Sequence, residues 1–419
     1  MKSSQNHIPS LLSALTFIVG ALFLFGIALV MGIGALASFF RGTDVPAQQT
    51  IFLVAFGFEG IILLTATFFS FQKFLQRPSA DQNVTIPSPA WLIALSVIVA
   101  AASILIGYQI SEIEPVAWIL LPILTIPAIV LPLGVLLAFG IRKLPFGRRW
   151  QTWSVLGLAM SLAPLMLFII ETLVAIVIFF VIIVYVMAQP ELASQLEELS
   201  QQIMILGPDS EVILDLLSPY LTNPAVIVTA LIYMAVLVPA VEEIFKPLGV
   251  WLFAGKLESR AQGFALGALS GAGYALIETI GVSGQTTEWA TLLFTRIGTG
   301  LLHITTSALM GGAIFLAWHE RRYLRFIGIY FLAILLHGLW NTAAILFTFS
   351  SVAEMLEQEG RLSTIQPALV VAMSGLAVGL FLILVRSNWK LRKTVLSPST
   401  QPALPDESVE TGEVAKETS

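Results

Sequence analysis

Pro224-Ala-Val-Ile-Val-Thr-Ala-Leu-Ile-Tyr-Met-Ala-Val-Leu-Val-Pro-Ala-Val-Glu-Glu-Ile-Phe-Lys246 is apolar almost throughout, then ends on two adjacent carboxylates and a lysine. At 1.5 Å per residue, about 20 apolar residues cross the ~30 Å hydrocarbon core, so the stretch has the length of a membrane helix. Glu242, Glu243 and Lys246 at its end are costly there. A charge in the bilayer centre is penalised by roughly 2.5–3.5 kcal/mol on insertion scales, so such groups face one another or water. Lys246 lies one helical turn from both acids. Pro239 interrupts the backbone ladder one turn before them and lets the helix open.

Outward from this stretch the chain keeps the same character. Of its 419 residues, 57% are hydrophobic and only 11% charged. Globular domains average about 25% charged residues, so the composition fits an all-α polytopic transmembrane bundle. Cysteine is absent, which excludes disulfides and thiolate ligands or nucleophiles. Nothing resembles a basic nucleic-acid surface.

Ten spans are expected: Leu11–Phe40, Ile51–Leu75, Ala90–Ile110, Val116–Gly140, Trp153–Met187, Pro224–Phe245, Ala261–Val282, Ala290–Trp318, Tyr323–Phe349 and Gln366–Val385. The first is too long for a signal-peptide core and reads as a retained helix. Loops carrying Arg142, Lys143, Arg148 and Arg149, or Arg321, Arg322 and Arg325, alternate with loops carrying Glu112, Glu114, Glu288, Glu354, Glu357 and Glu359. By the positive-inside rule both termini are cytoplasmic, in a multi-pass protein of the inner (plasma) membrane. The organisation expected is a five-helix region (1–187), an acidic outer segment (188–223), a catalytic-type core (224–349), a last outer loop and span (350–393), and a disordered tail (394–419). In the acidic segment, Leu192, Leu196, Leu199, Ile203 and Leu206 recur at helical spacing and predict an amphipathic helix.

Deep ionisable residues gather in the core. Helices one to five hold only Glu59 and Glu171, each alone and read as polar packing or a water pocket. The core adds Glu278, in Gly271-Ala-Gly-Tyr-Ala-Leu-Ile-Glu278, with Tyr274 one turn before it. Arg296 precedes His303 by two turns, and His337 and Asn341 are one turn apart in His337-Gly-Leu-Trp-Asn341. Singly, each has a bland explanation: a headgroup contact for Glu242 and Glu243, structural glue for Glu278, a carbonyl-bonded ring for either histidine. Together, acids can deprotonate water, imidazoles can position it or bind a metal, and Asn341 can donate to an oxyanion. No Gly-x-Ser-x-Gly elbow and no His-Glu-x-x-His motif occurs. A proton-coupled transporter, a noncatalytic scaffold and a hydrolase or transferase acting on a lipid or prenylated substrate are the competing classes.

These four motifs, in this order and spacing, resemble the PrsW family of bacterial intramembrane proteases, related to the CAAX prenyl endopeptidases and the bacteriocin-immunity-like membrane proteins. The resemblance covers roughly residues 225–345. It departs at Tyr274, where the family usually has Phe, and at Thr279, where Asn commonly follows the Glu. It implies an endopeptidase acting on a membrane-protein substrate, of which an anti-sigma-factor-like single-pass protein is the best-known type. It leaves open whether zinc, held by Glu243, His303 and His337, or glutamate alone activates the water.

The residues themselves raise one geometric difficulty. On a straight helix Glu278 stands ~27 Å from its start, whereas Glu243 lies near the cytoplasmic face, so the two could not meet. Either residues 247–262 form an interfacial or re-entrant piece, or the helix breaks at Gly271-Ala-Gly273, or Glu278 is not catalytic. Glu243, narrowly ahead of Glu242, is expected to be the base, in a cavity opening toward the cytoplasmic half.

Overall fold

The structure, a computed structural model, describes residues 7–84, 89–206, 213, 216–217, 223–284, 289–355 and 364–396. Glu288, Glu357, Glu359, Asp209, Glu211, Asp215 and the tail from residue 397 lie outside them. Among the described residues, ten helices are long and apolar enough to cross a membrane, as the hydropathy pattern predicts. The architecture is an all-α polytopic bundle.

The helices are α1 (Ile8–Arg41), α2 (Ala47–Phe74), α3 (Ala90–Ile110), α4 (Glu114–Ile141), α5 (Arg149–Met160), α6 (Leu162–Met187) and α7 (Pro190–Leu206). After residue 223 come α8 (Pro224–Ile232), a π-turn (Tyr233–Leu237), α9 (Val238–Phe245), the short α10 (Leu248–Leu252), α11 (Arg260–Val282), α12 (Trp289–Glu320), α13 (Tyr323–Met355) and α14 (Gln366–Leu396). The expected span Trp153–Met187 is bent at Ser161. Pro164 has no N–H for the carbonyl one turn earlier, and the Ser161 hydroxyl donates back to the Gly157 carbonyl at 2.6 Å. The amphipathic helix of the acidic segment is α7, which packs against α6.

The centre of the bundle is α12, buried along most of its length, with α11 laid against it. Their contact is backbone to backbone. A Cβ on Gly263, Gly267 or Gly271 would run into the carbonyl oxygens of Gly311, Ser307 and His303 respectively. These two stripes repeat every four residues, so each falls on one helix face. α4 and α5 flank α11, while α13 and α14 flank α12. By contrast α6 turns Phe168, Val177, Phe179, Phe180 and Val184 outward, an apolar surface suited to lipid.

Between α9 and α11 the chain doubles back. Pro247 ends the first helix, and α10 and a 3-10 turn at Ala254–Lys256 lead to Ser259, whose hydroxyl caps α11 by accepting from the Gln262 N–H at 3.1 Å. The Ser270 hydroxyl donates to the Lys246 carbonyl at 2.6 Å. Lys246 therefore stands level with Ser270, about 15 Å along α11 from Arg260. The membrane-length span thus continues past Lys246 to Leu252, which sets Lys246 well inside it, and α11 runs unbroken through Gly271-Ala-Gly273.

Replacing Gly267 by Ala should push α11 from α12 and cost ~1–3 kcal/mol, the usual range for overpacking. Thermal unfolding in detergent reads the loss. Gly375→Ala, where the added methyl meets open space, is the control expected to leave the midpoint unchanged.

Candidate active site

Pro239 shapes the entry to the site. Within the π-turn the Val238 N–H pairs with the Tyr233 carbonyl, five residues back. In that register the partner of the Met234 carbonyl is Pro239, which has no N–H. Asn341 fills the gap: its Nδ2 donates to the Met234 carbonyl at 2.8 Å. Tyr330, three turns earlier on α13, donates its hydroxyl to the Ala240 carbonyl at 2.6 Å. Gly338 permits this approach, because a Cβ there would strike the Ala235 carbonyl oxygen. α13 is thereby fastened along the irregular segment, and His337 is carried to the glutamates.

The side chains then close into one buried cluster around the Lys246 ammonium. Its Nζ lies 2.5 Å from Glu243 Oε1, 3.3 Å from Glu242 Oε2, 3.0 Å from His303 Nδ1 and 3.2 Å from His337 Nδ1. Tyr274 donates its hydroxyl to Glu242 Oε1 at 3.0 Å. An ammonium only donates, so His303 Nδ1 accepts, and its Nε2–H donates to Glu278 Oε2 at 2.6 Å. His337 Nδ1 is 2.8 Å from Glu243 Oε1, its shortest contact, which assigns the ring proton there. Arg296 completes the outer end, with Nη2 2.8 Å from Glu278 Oε2. Glu278 and Glu243 are therefore linked through His303 and Lys246 rather than directly.

A family model described as PrsW family intramembrane metalloprotease matches residues 147–376, more than half of the chain. The chain belongs to the PrsW family. It is a membrane-embedded peptidase of the bilayer. No curated protein and no solved structure matches it. The match begins at residue 147, so α5 and α6 fall inside this PrsW region, which extends well before the motifs.

The family's metalloprotease description can be tested against the donor set. Glu242, His303 and His337 each offer a ligand atom within 4.8 Å of the others, and the histidine rings are 5.4 Å apart. Each imidazole has one nitrogen bonded to a carboxylate, Glu243 for His337 and Glu278 for His303, which is the usual support of a metal-binding histidine. The Oε2 atoms of Glu242 and Glu243 are buried without a hydrogen bond. With its three carboxylates ionised against Lys246 and Arg296, the cluster carries one net negative charge. Two imidazoles, a carboxylate and a net negative charge fit a divalent cation. This set has Glu242 in place of the expected Glu243; Lys246 and His337 engage Glu243 Oε1, and Lys246 Nζ also stands 3.0 Å from His303 Nδ1 and 3.3 Å from Glu242 Oε2.

The cluster is more exposed at one end than at the other. Glu243 and Lys246 are wholly buried and Glu242 is 7% exposed, whereas the Glu278 side chain is 35% exposed near the Val282 end of α11. The Arg260 end of that helix pair is sealed by the glycine contact. Among the described residues Asn341 makes no hydrogen bond to the charged cluster; one of its two amide N–H groups goes to the Met234 carbonyl. Of the two isolated acids, Glu59 is fully buried with both oxygens unpartnered. Glu171 lies on α6 beside the site, its carbonyl accepting from the Tyr233 hydroxyl at 3.2 Å. Sequence reasoning missed Ser270, Gly338, Thr279 and Tyr330. Thr279, which accepts from Arg296 Nε at 3.3 Å, was visible only as a departure from the family pattern.

Asn341→Ala should orphan the Met234 carbonyl, costing about 1–3 kcal/mol. Stability and turnover are expected to fall together. A thermal midpoint left unchanged beside a large loss of turnover would assign Asn341 the oxyanion role.

Proposed function

We propose that this PrsW-family peptidase cleaves a single-pass membrane protein, of the anti-sigma-factor type, by water attack at the Glu242, His303 and His337 cluster. The observation that carries the reading is the asymmetry within the glutamate pair. Glu243 is wholly buried, with Oε1 bonded to both Lys246 and His337, whereas Glu242 is slightly exposed and its Oε2, 3.3 Å from Lys246 Nζ but without a hydrogen bond, lies 3.5 Å from His337 Nε2. With the ring proton on Nδ1, that nitrogen and that oxygen are both acceptors, so one water seated beside the pair can donate to each.

Glu242 Oε2 takes a proton from this water as its oxygen bonds to the peptide carbonyl carbon. The carboxyl then returns the proton to the amide nitrogen as the C–N bond breaks, leaving a carboxylate and an amine. Glu243 fixes the ring and tautomer of His337, Glu278 does the same for His303, and Tyr274 orients Glu242. The Lys246 ammonium, excluded from water, offers fixed positive charge to the developing oxyanion. A zinc ion held by Glu242, His303 and His337 would polarise the carbonyl and lower the pKa of bound water. The opening beside Glu278 supports entry of substrate from the Val282 end. The basic loops support cytoplasmic termini in the inner membrane, which would place that end on the outer side.

Glu242→Gln should lower cleavage of a single-pass substrate in membranes by about 10²–10⁴, the range for a lost general base, and Glu243→Gln by a smaller ~10–100-fold. The reverse order would make Glu243 the base, and full activity in both variants would sink the mechanism. Chelation that abolishes cleavage, with rescue by zinc, is the outcome expected for a resident metal.

Orientation has its own test. A reporter fused after Glu198 should be exposed outside the cytoplasm; a cytoplasmic signal would invert the assignment.

A further inference from the structure

At the end of the bundle away from the Glu278 opening, a crevice of about 200 Å³ separates α14 from the paired α11 and α12. Its rim is cationic. Arg260 comes from the first turn of α11 and Lys390 from α14, with the Ser387 hydroxyl one turn before it. Phe264, Leu309 and Leu391 make an apolar floor. Neither Arg260 nor Lys390 forms an ion pair or hydrogen bond with any described residue. The nearby acid, Glu320, is held by Arg322 at 3.0 Å, and Arg322 and Arg325 add further positive charge around Arg260. Gly312 lines the crevice beside Arg260, where an added Cβ would meet Cγ and Nε at an ordinary contact distance of 3.7 Å.

We infer that this crevice binds the phosphodiester of an anionic membrane lipid. The phosphate lies between Arg260, Lys390 and the Ser387 hydroxyl, and the start of an acyl chain rests on Phe264, Leu309 and Leu391. Two unpaired cations select net negative headgroups over zwitterionic ones, since charge-assisted bonds to phosphate oxygens are the strong ones. The apolar floor selects lipid over free phosphate, which has nothing to bury there. Basic pockets between membrane helices on the basic-loop side recognise anionic lipid heads by this chemistry.

The test uses the full-length chain in detergent micelles doped with phosphatidylglycerol or phosphatidylcholine, and native mass spectrometry counts the lipid retained. Phosphatidylglycerol should be retained at least about tenfold better than phosphatidylcholine, and the Arg260→Gln, Lys390→Gln double variant should abolish that preference. Gly312→Phe, which fills the crevice without altering charge, should do the same. Arg77→Gln, a cation of a distant basic loop, should leave it intact. Wild-type retention in the double variant would overturn the site, as would equal retention of the two lipids by the unaltered chain. Complete displacement of phosphatidylglycerol by millimolar inorganic phosphate would overturn lipid as the ligand. The thermal midpoint, recorded beside each variant, identifies a misfolded Gly312→Phe, in which case the surface double variant alone decides.

Discussion

Everything at the site depends on α11 and α12 touching through their backbones. Where Gly271 meets the His303 carbonyl, no side chain separates the two helices. At that distance an imidazole on α12 reaches Glu278 on α11 with one nitrogen and Lys246 with the other. A single methyl in the stripe would part the helices and break both contacts together. Membrane helices gain little from burying apolar surface against one another, because lipid is as apolar as leucine. Small residues that permit close packing are therefore what holds this pair.

The second constraint is electrostatic. Glu243 and Lys246 are wholly buried, and desolvating such a pair costs several kcal/mol per ion before their attraction is counted. An apolar pair of the same size would often be as stable. Stability alone thus gives no reason for three carboxylates, two imidazoles and an ammonium in one place. Removing one partner is a different matter. Loss of Lys246 alone would leave adjacent buried carboxylates uncompensated, at a cost of about 3–5 kcal/mol. A site built this way tolerates a cation and resists losing one.

Spans and site composition were legible in the sequence because both follow from cost. Long apolar runs must be helical in lipid, and charges within them must converge. Depth was not legible. Counting along a straight helix separates Glu278 from Glu243, and the charges at 242–246 disguise the continuation of the membrane-length span to Leu252. Nor does residue type tell two amide roles apart. Asn341 has the chemistry of an oxyanion donor, and its amide also serves the carbonyl that Pro239 leaves without a partner. The choice between Glu242 and Glu243 was likewise undecidable from spacing, since both lie one turn from Lys246. His337, on a third helix, approaches them differently, with Nδ1 2.8 Å from Glu243 and Nε2 3.5 Å from Glu242.

That placement explains why a costly irregularity is retained in α8–α9. A π-turn inserts one residue into an α-helix, and one residue at 3.6 per turn rotates everything after it by about 100°. Without the insertion, the face carrying Glu242 and Lys246 would turn away from α12. Pro239 makes the wider turn less unfavourable, since it could not complete a regular ladder either. The carbonyl left over gives α13 a fixed attachment through Asn341, one turn from His337. One proline thus aims the glutamates and anchors the helix that brings their histidine, so that a helix defect supplies the order the chemistry needs.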